Sequence, residues 1–249
     1  MLLALSTWPE IESFLTRSKT VIIPIGSNEQ HGPTGLLGTD WLCPEIIAHE
    51  ASGRGDILVA PTFNIGMAQH HLGFPGTISV RPSTFQAAIG DWVSSLTRHG
   101  FERLYFLNGH GGNTASIEAA FSEIYAQHSF AKDRAPYALK LSNWWDLPGV
   151  NRLAFKLFPQ GHGSHATPSE IAITQAAYPD HIKHSPPLEP RIAPSGPIRD
   201  GLDYRARFPD GRIGSDPLLA TPELGRQLID AAVPALLEDV TTFSAEVQP

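Results

Sequence analysis

The chain has 249 residues, 41% of them apolar and 17% charged, and a formal net charge of -7. That is enough for one large domain or two small ones with a substantial core, and an acidic balance without a basic stretch argues against a nucleic-acid partner. One cysteine, Cys43, excludes an internal disulfide and a cysteine-cluster zinc site.

No apolar run approaches the roughly 20 residues of a membrane span. Residues 1–5 are apolar but lack a basic lead, and Glu10 follows too soon for a signal peptide, so a cytoplasmic protein is expected.

Residues 11–18 are predicted as a short helix at the sheet edge. Residues 20–25 are β-branched and do not alternate, the pattern of a strand buried on both faces. A helix is expected over 41–51, a second strand over 56–61, and a long irregular connection over 62–81. Ser83 or Thr84 is the expected cap of an amphipathic helix to His99. Its apolar face is Phe85, Ala88, Ile89, Trp92, Val93 and Leu96, and Gly100 ends it. A strand over 103–107 and a helix over 114–127 come next, then a strand over 137–141. After a variable region, residues 161–170 open a helix that runs to Ala177. Residues 186–217 are proline-rich and read as loop, and a last helix covers 222–238. Strands alternating with helices predict a parallel sheet covered on both faces, with ligands beyond the carboxyl ends of the strands.

The chemistry collects at those ends. Glu29 and His31 lie two residues apart after the first strand, so in extended backbone they point the same way and can share one ion. Gly32, Pro33, Gly35 and Gly38 allow the turn that returns Asp40. The same stretch also reads as a polar loop in which Thr39 or Asp40 caps the next helix. His110 sits among Gly109, Gly111 and Gly112. The alternative there is an anion loop whose amides hold a phosphate, which would make the protein a non-catalytic phosphate- or nucleotide-binding module. Glu170 is either a ligand or the capping-box partner of Thr167.

Glu29, His31, Asp40, His110 and Glu170 make five carboxylate and imidazole donors, more than one tetrahedral ion uses. A pair of zinc, manganese or iron(II) ions bridged by Asp40 accounts for the number. His162 or His165 can shuttle protons near neutral pH. His70, His71, Trp144, Trp145 and His162 are the candidate substrate-facing residues. Cys43 is expected in the core, and His49, His99, His128, His181 and His184 at the surface or at helix ends.

Taken together, residues 26–33 with Gly38, Thr39 and Asp40, then 70–77, 108–113, His165 with Ala166 and Glu170, and finally 214–217 with Ala220, Thr221, Gly225 and Arg226, resemble the creatininase (creatinine amidohydrolase) family in order along most of the chain. The resemblance implies one domain over residues 1–249, a three-layer α/β/α sandwich with a mostly parallel sheet, and commonly a homohexamer. It implies a metal-dependent amidohydrolase that cleaves a C–N amide or formamide bond of a small molecule with metal-activated water. Carried over, Glu29, Asp40, His110 and Glu170 hold one ion, His31 and Asp40 hold the second, and His165 is the acid/base residue, with Glu170 also counted as catalytic. Gly111 and Gly112 stand where creatininase has a tyrosine and a ligating glutamate, so the second ion loses a protein ligand. Gly161 stands where a lid tryptophan is expected. These departures argue against creatinine itself and leave two further readings open, a deformylase of pterin or flavin biosynthesis and a peptide-trimming relative.

Overall fold

The structure is a computed structural model that describes residues 1–246. Four parallel strands, β1 (Thr20–Ile25), β2 (Leu58–Val59), β3 (Arg103–Asn108) and β4 (Ala138–Asn143), lie in the order β2-β1-β3-β4. Ile25 pairs with Asn108, and Asn108 with Asn143, so three strands end level at one edge. The chain goes to one side of β1 for β2 and to the other for β3. Their shared carboxyl edge is therefore the topological switch point where α/β sheets place ligands.

Alternate residues of the same strands feed two separate cores, as expected of side chains that alternate across a strand. Val21, Ile23, Ile25, Leu104 and Phe106 pack with Phe14, Phe85, Ile89, Val93, Ile117, Ala120 and Ile124. The last seven come from α1 (Trp8–Leu15), α3 (Pro82–Arg98) and α4 (Thr114–Ala131). On the opposite face Ile22, Tyr105 and Leu107 meet α2 (Thr39–Arg54), α5 (Val150–Leu157), α6 (Pro168–Ala177) and the long α8 (Pro222–Ala245). Two helical layers around one parallel sheet are the expected α/β/α sandwich. Cys43 is buried on this second face. No described helix is long and apolar enough to cross a membrane.

Several boundaries differ from the sequence reading for local reasons. Helix α1 starts at Trp8 rather than residue 11, because Glu10 accepts hydrogen bonds from both the Thr7 N–H and the Thr7 hydroxyl. Helix α3 starts at Pro82, whose ring suits the first helical position, so Ser83 and Thr84 lie inside the helix and Arg81 is its N-cap. The expected 56–61 strand keeps only two paired residues. Two helices fall where none was predicted. Helix α5 carries Val150, Leu153, Ala154 and Leu157 at helical spacing. Helix α7 (Gly201–Arg207) sits inside the proline-rich region, where the Asp200 carboxylate accepts from the Leu202 and Asp203 amides and buried Tyr204 anchors it.

Helices α6 and α8 touch at backbone distance. A Cβ on Gly225 would lie 1.8 Å from the Ala172 carbonyl oxygen and 2.9 Å from the Ile173 nitrogen. Gly225→Ala is therefore expected to push the helices apart and lower stability by about 1–3 kcal/mol or more, the usual cost of overpacking. Urea unfolding measures it; an unchanged midpoint would mean that α8 does not sit this close.

Candidate metal centre

The two central strands press their ends against the first turn of α2. A Cβ on Gly109 would come 1.9 Å from the Asp40 carbonyl oxygen, so only glycine lets the backbone after β3 approach this closely. That contact fixes Asp40, 3% exposed, beneath the sheet edge. Gly38 occupies the N-cap position of α2 and neither Thr39 nor Asp40 caps with its side chain, so the Asp40 carboxylate is free to face the site.

Its two oxygens face different neighbours. Oδ1 lies 3.0 Å from His31 Nε2 and Oδ2 lies 3.1 Å from His110 Nδ1. Glu29 Oε1 is 3.3 Å from the same His110 nitrogen, and Glu170 Oε1 is 3.9 Å from His31 Nε2. Glu29, Asp40 and His110 thus form one set of converging donors, and His31, Asp40 and Glu170 form another. Asp40 belongs to both. The division differs from the one carried over by resemblance, which grouped Glu170 with Glu29 and His110. Glu170 comes from the start of α6, on the His31 side. It also serves as the helix cap: its Oε1 accepts from the Thr167 N–H at 2.6 Å while Thr167 Oγ1 accepts from the Glu170 N–H. The cap reading of Glu170 is met, and the same side chain also stands in the His31 donor set.

The far nitrogen of three of the imidazoles is held by a main-chain carbonyl, which can only accept. His31 Nδ1 donates to the Glu29 carbonyl, His110 Nε2 to that of Met67 and His165 Nε2 to that of Gln30, at 2.7–3.1 Å. When neutral, these rings must therefore turn lone pairs toward the carboxylates, the arrangement in which histidine binds a cation. Glu29 Oε1 and Asp40 Oδ2 are buried and lack aligned hydrogen-bond donors, despite imidazole nitrogens within 3.3 Å. Buried carboxylate oxygens left in this way fit a divalent cation, and the oxygen and nitrogen donor set suits zinc, manganese or iron.

Charge balance points the same way. Burial pushes Glu29 up to about 7, partly offset by His110. Burial likewise raises Glu170 to about 7 against the pull of His31. For Asp40 burial is outweighed by His31 and His110, which hold it well below the carboxylate range. Burial opposes charge on His31, yet Asp40 and Glu170 raise it to about 10; His110 is raised to about 9 against burial by Glu29 and Asp40. Protons on these two rings and a divalent cation are alternative ways to compensate the same carboxylates, so cation binding releases protons and strengthens as pH rises.

A cavity of about 510 Å³ opens onto the centre and reaches every proposed substrate-facing residue: His70, His71, Trp144, Trp145 and His162, together with His165. Burial, then neighbouring imidazoles, lowers His71 to about 2 and His165 well below the usual range, so both rings are neutral near pH 7. His165 Nδ1 stands 3.9 Å from Glu29 Oε1 at the inner end of the cavity. His162 lies further out, bonded to Ser169 Oγ at 2.9 Å. Gly111 borders the cavity with nothing within 4 Å of where its Cβ would be, leaving that wall open. In the same loop the amides of Gly109, His110 and Asn113 are already taken by Ile25 O, Asn108 Oδ1 and His110 O, which leaves few to cradle a phosphate.

Sequence reasoning missed Gln30, Tyr204, Ser164, Ser169 and Ile198. Gln30 lies between two named candidates, and that position was its only signal. Tyr204 belongs to a stretch read as loop.

Fold and site together define a three-layer α/β protein with a candidate two-cation centre at the carboxyl edge of its sheet. The family model for creatininase, described as creatinine amidohydrolase, matches residues 4–240, and the chain belongs to that family. It is 27% identical to the creatinine amidohydrolase of Pseudomonas putida over 186 residues, 71% of each chain. It is 28% identical to the 3-dehydro-scyllo-inosose hydrolase of Thermotoga maritima over 232 residues, 87% of this chain and 71% of that one. A solved creatininase in a manganese form superposes with a TM-score of 0.81 at 23% identity, covering 98% of this chain and 99% of its own. A Zn–Zn form of a creatininase mutant gives the same TM-score at 23% identity, over 98% of each chain. These relatives are hydrolases, and the chain is a hydrolase of their family.

Proposed function

We propose that the protein is a metal-dependent amidohydrolase that cleaves a C–N amide or formamide bond of a small molecule. The observation that carries this reading is Asp40, which turns one oxygen to each of two donor sets below a single cavity. Glu29, Asp40 and His110 would hold one divalent cation, and His31, Asp40 and Glu170 a second. Such ions, when bound, supply Lewis acidity that makes water more acidic and a carbonyl more electrophilic. The chain's own residues do the rest. Main-chain carbonyls lock the ligand rings in register, which removes the cost of orienting them during reaction. His165, neutral and with its Nδ1 edge toward the centre, takes a proton and returns it to the leaving nitrogen. Trp144 and Trp145 wall the cavity and exclude water from one side, while the open wall at Gly111 admits a substrate bulkier on that side. Assembly as a homo-oligomer, hexameric by family analogy, belongs to the same proposal.

Metal analysis with a substrate screen tests it. Protein purified with zinc, manganese or iron supplied should carry one or two ions per chain, in line with two donor sets. Chelation should abolish hydrolysis of at least one member of a panel of cyclic amides, formamides and short peptides, and metal should restore it. Protein that takes up no stoichiometric ion, or hydrolysis that survives chelation, would sink the reading.

A further inference from the structure

We propose that Gln30 is a positioning residue: its carboxamide fixes His71 as the Nε2–H tautomer, so that an N–H edge rather than a lone pair faces the Glu29 carboxylate. The bearing of this on turnover rests on the metal-hydrolase reading above; the tautomer assignment does not.

Gln30 is 5% exposed, and two main-chain groups of unambiguous polarity set its orientation. The Gly32 N–H, which can only donate, reaches Oε1 at 2.8 Å. The Gly211 carbonyl, which can only accept, takes one Nε2 hydrogen at 3.0 Å. The amide cannot be flipped without breaking both bonds. One hydrogen remains, with three neighbours. His165 Nε2, at 2.9 Å, is ruled out as an acceptor because it carries the hydrogen given to the Gln30 carbonyl at 2.7 Å. Tyr204 Oη, at 3.1 Å, donates its own hydrogen to the Gly211 carbonyl and can accept the remaining one, but a carboxamide nitrogen cannot itself accept, so a hydrogen on His71 Nδ1 would meet it donor to donor. His71 Nδ1, at 3.0 Å, is the imidazole that can accept. A ring that accepts at Nδ1 carries its hydrogen on Nε2, and His71 Nε2 lies 2.9 Å from Glu29 Oε1, near it but not aligned as a hydrogen bond, so the oxygen stays open to a cation.

His71 is thus the exception in the centre. The other three rings are fixed by main-chain carbonyls, and this one by a side chain that substitution can change. With the opposite tautomer, a bare nitrogen would face the Glu29 oxygen at 2.9 Å. The two would repel, or the ring would enter the donor set; either way Glu29 would leave the place it shares with Asp40 and His110.

Magic-angle-spinning NMR of [15N]histidine-labelled protein distinguishes protonated from bare ring nitrogens, and the difference from His71→Gln identifies the His71 signals. The expected result is a bare Nδ1 and a protonated Nε2 in the wild-type protein, with or without added zinc. Gln30→Glu keeps the acceptor for Gly32 and removes the donor, so His71 Nδ1 should become protonated. For an amide that the protein hydrolyses, kcat should fall about 10- to 100-fold, the usual effect of losing a residue that orients a metal site, with KM changed by less than about threefold. Gln30→Met, which fills similar space with no donor, should show both tautomers and an intermediate kcat. A wild-type His71 protonated on Nδ1 overturns the assignment, and so does Gln30→Glu that lowers kcat with the tautomer unchanged. Should Gln30→Glu not fold, the wild-type and Gln30→Met spectra decide. A wild-type protein that hydrolyses no amide would end the functional reading while the nitrogen spectra still judged Gln30.

Discussion

Asp40→Ala is expected to empty both donor sets at once. The side chain contributes one oxygen to the His31 side and the other to the His110 side, so no remaining residue can replace it in either. Bound metal should fall below about a tenth of an ion per chain, and hydrolysis by at least about 10³-fold, since both water activation and oxyanion stabilisation go with the ions. Removing a buried charge that faces two imidazoles also threatens the fold, at about 3–5 kcal/mol when one partner of such a pair is lost. Asp40→Asn keeps the shape and separates the effects. It should fold, as circular dichroism will read, and still lack metal. Either variant with normal metal content and turnover would refute the bridging role.

His165→Ala should behave differently. His165 lies outside both Asp40-centred sets, so metal content should stay at the wild-type level while kcat falls by about 100-fold or more, the scale of a lost acid–base group. The geometry also allows another outcome. Glu29, His31 and His165 offer a third convergence of donors. If His165→Ala lost metal in step with activity, the residue would be a ligand rather than a proton carrier. Plasma emission spectrometry on the same preparation used for kinetics separates the two.

Much of this centre was legible in the chain because its signals are local. Residues 20–25 are too apolar and too β-branched for anything but an interior strand, and the loop leaving such a strand in an α/β fold lies at the ligand-binding edge. Glu29, His31 and His110 were picked out that way, and each lies in a donor set that includes Asp40, although Glu29 and His31 fall in different ones. The partition of the five donors was not legible. Whether Glu170 sides with His31 or with His110 depends on where α6 crosses the sheet edge, a long-range fact with no trace in residues 165–170. Helix α7 was hidden for a different reason. Proline-rich flanks dominate its window, and its stability comes from the Asp200 cap and the burial of Tyr204 rather than from any periodic apolar face. Gln30 escaped notice because an amide between two strong candidates carries no charge of its own.

Glu170 answers to two demands at once. It closes the first turn of α6 through the Thr167 amide, and it stands among the candidate donors on the His31 side. Glutamine at this position would satisfy the helix but not an ion, and aspartate, one methylene shorter, would strain to serve either. If Glu170 holds an ion as proposed, the position tolerates fewer replacements than a helix cap or a ligand would alone, and a relative without the ion could be recognised by a residue here that still begins the helix.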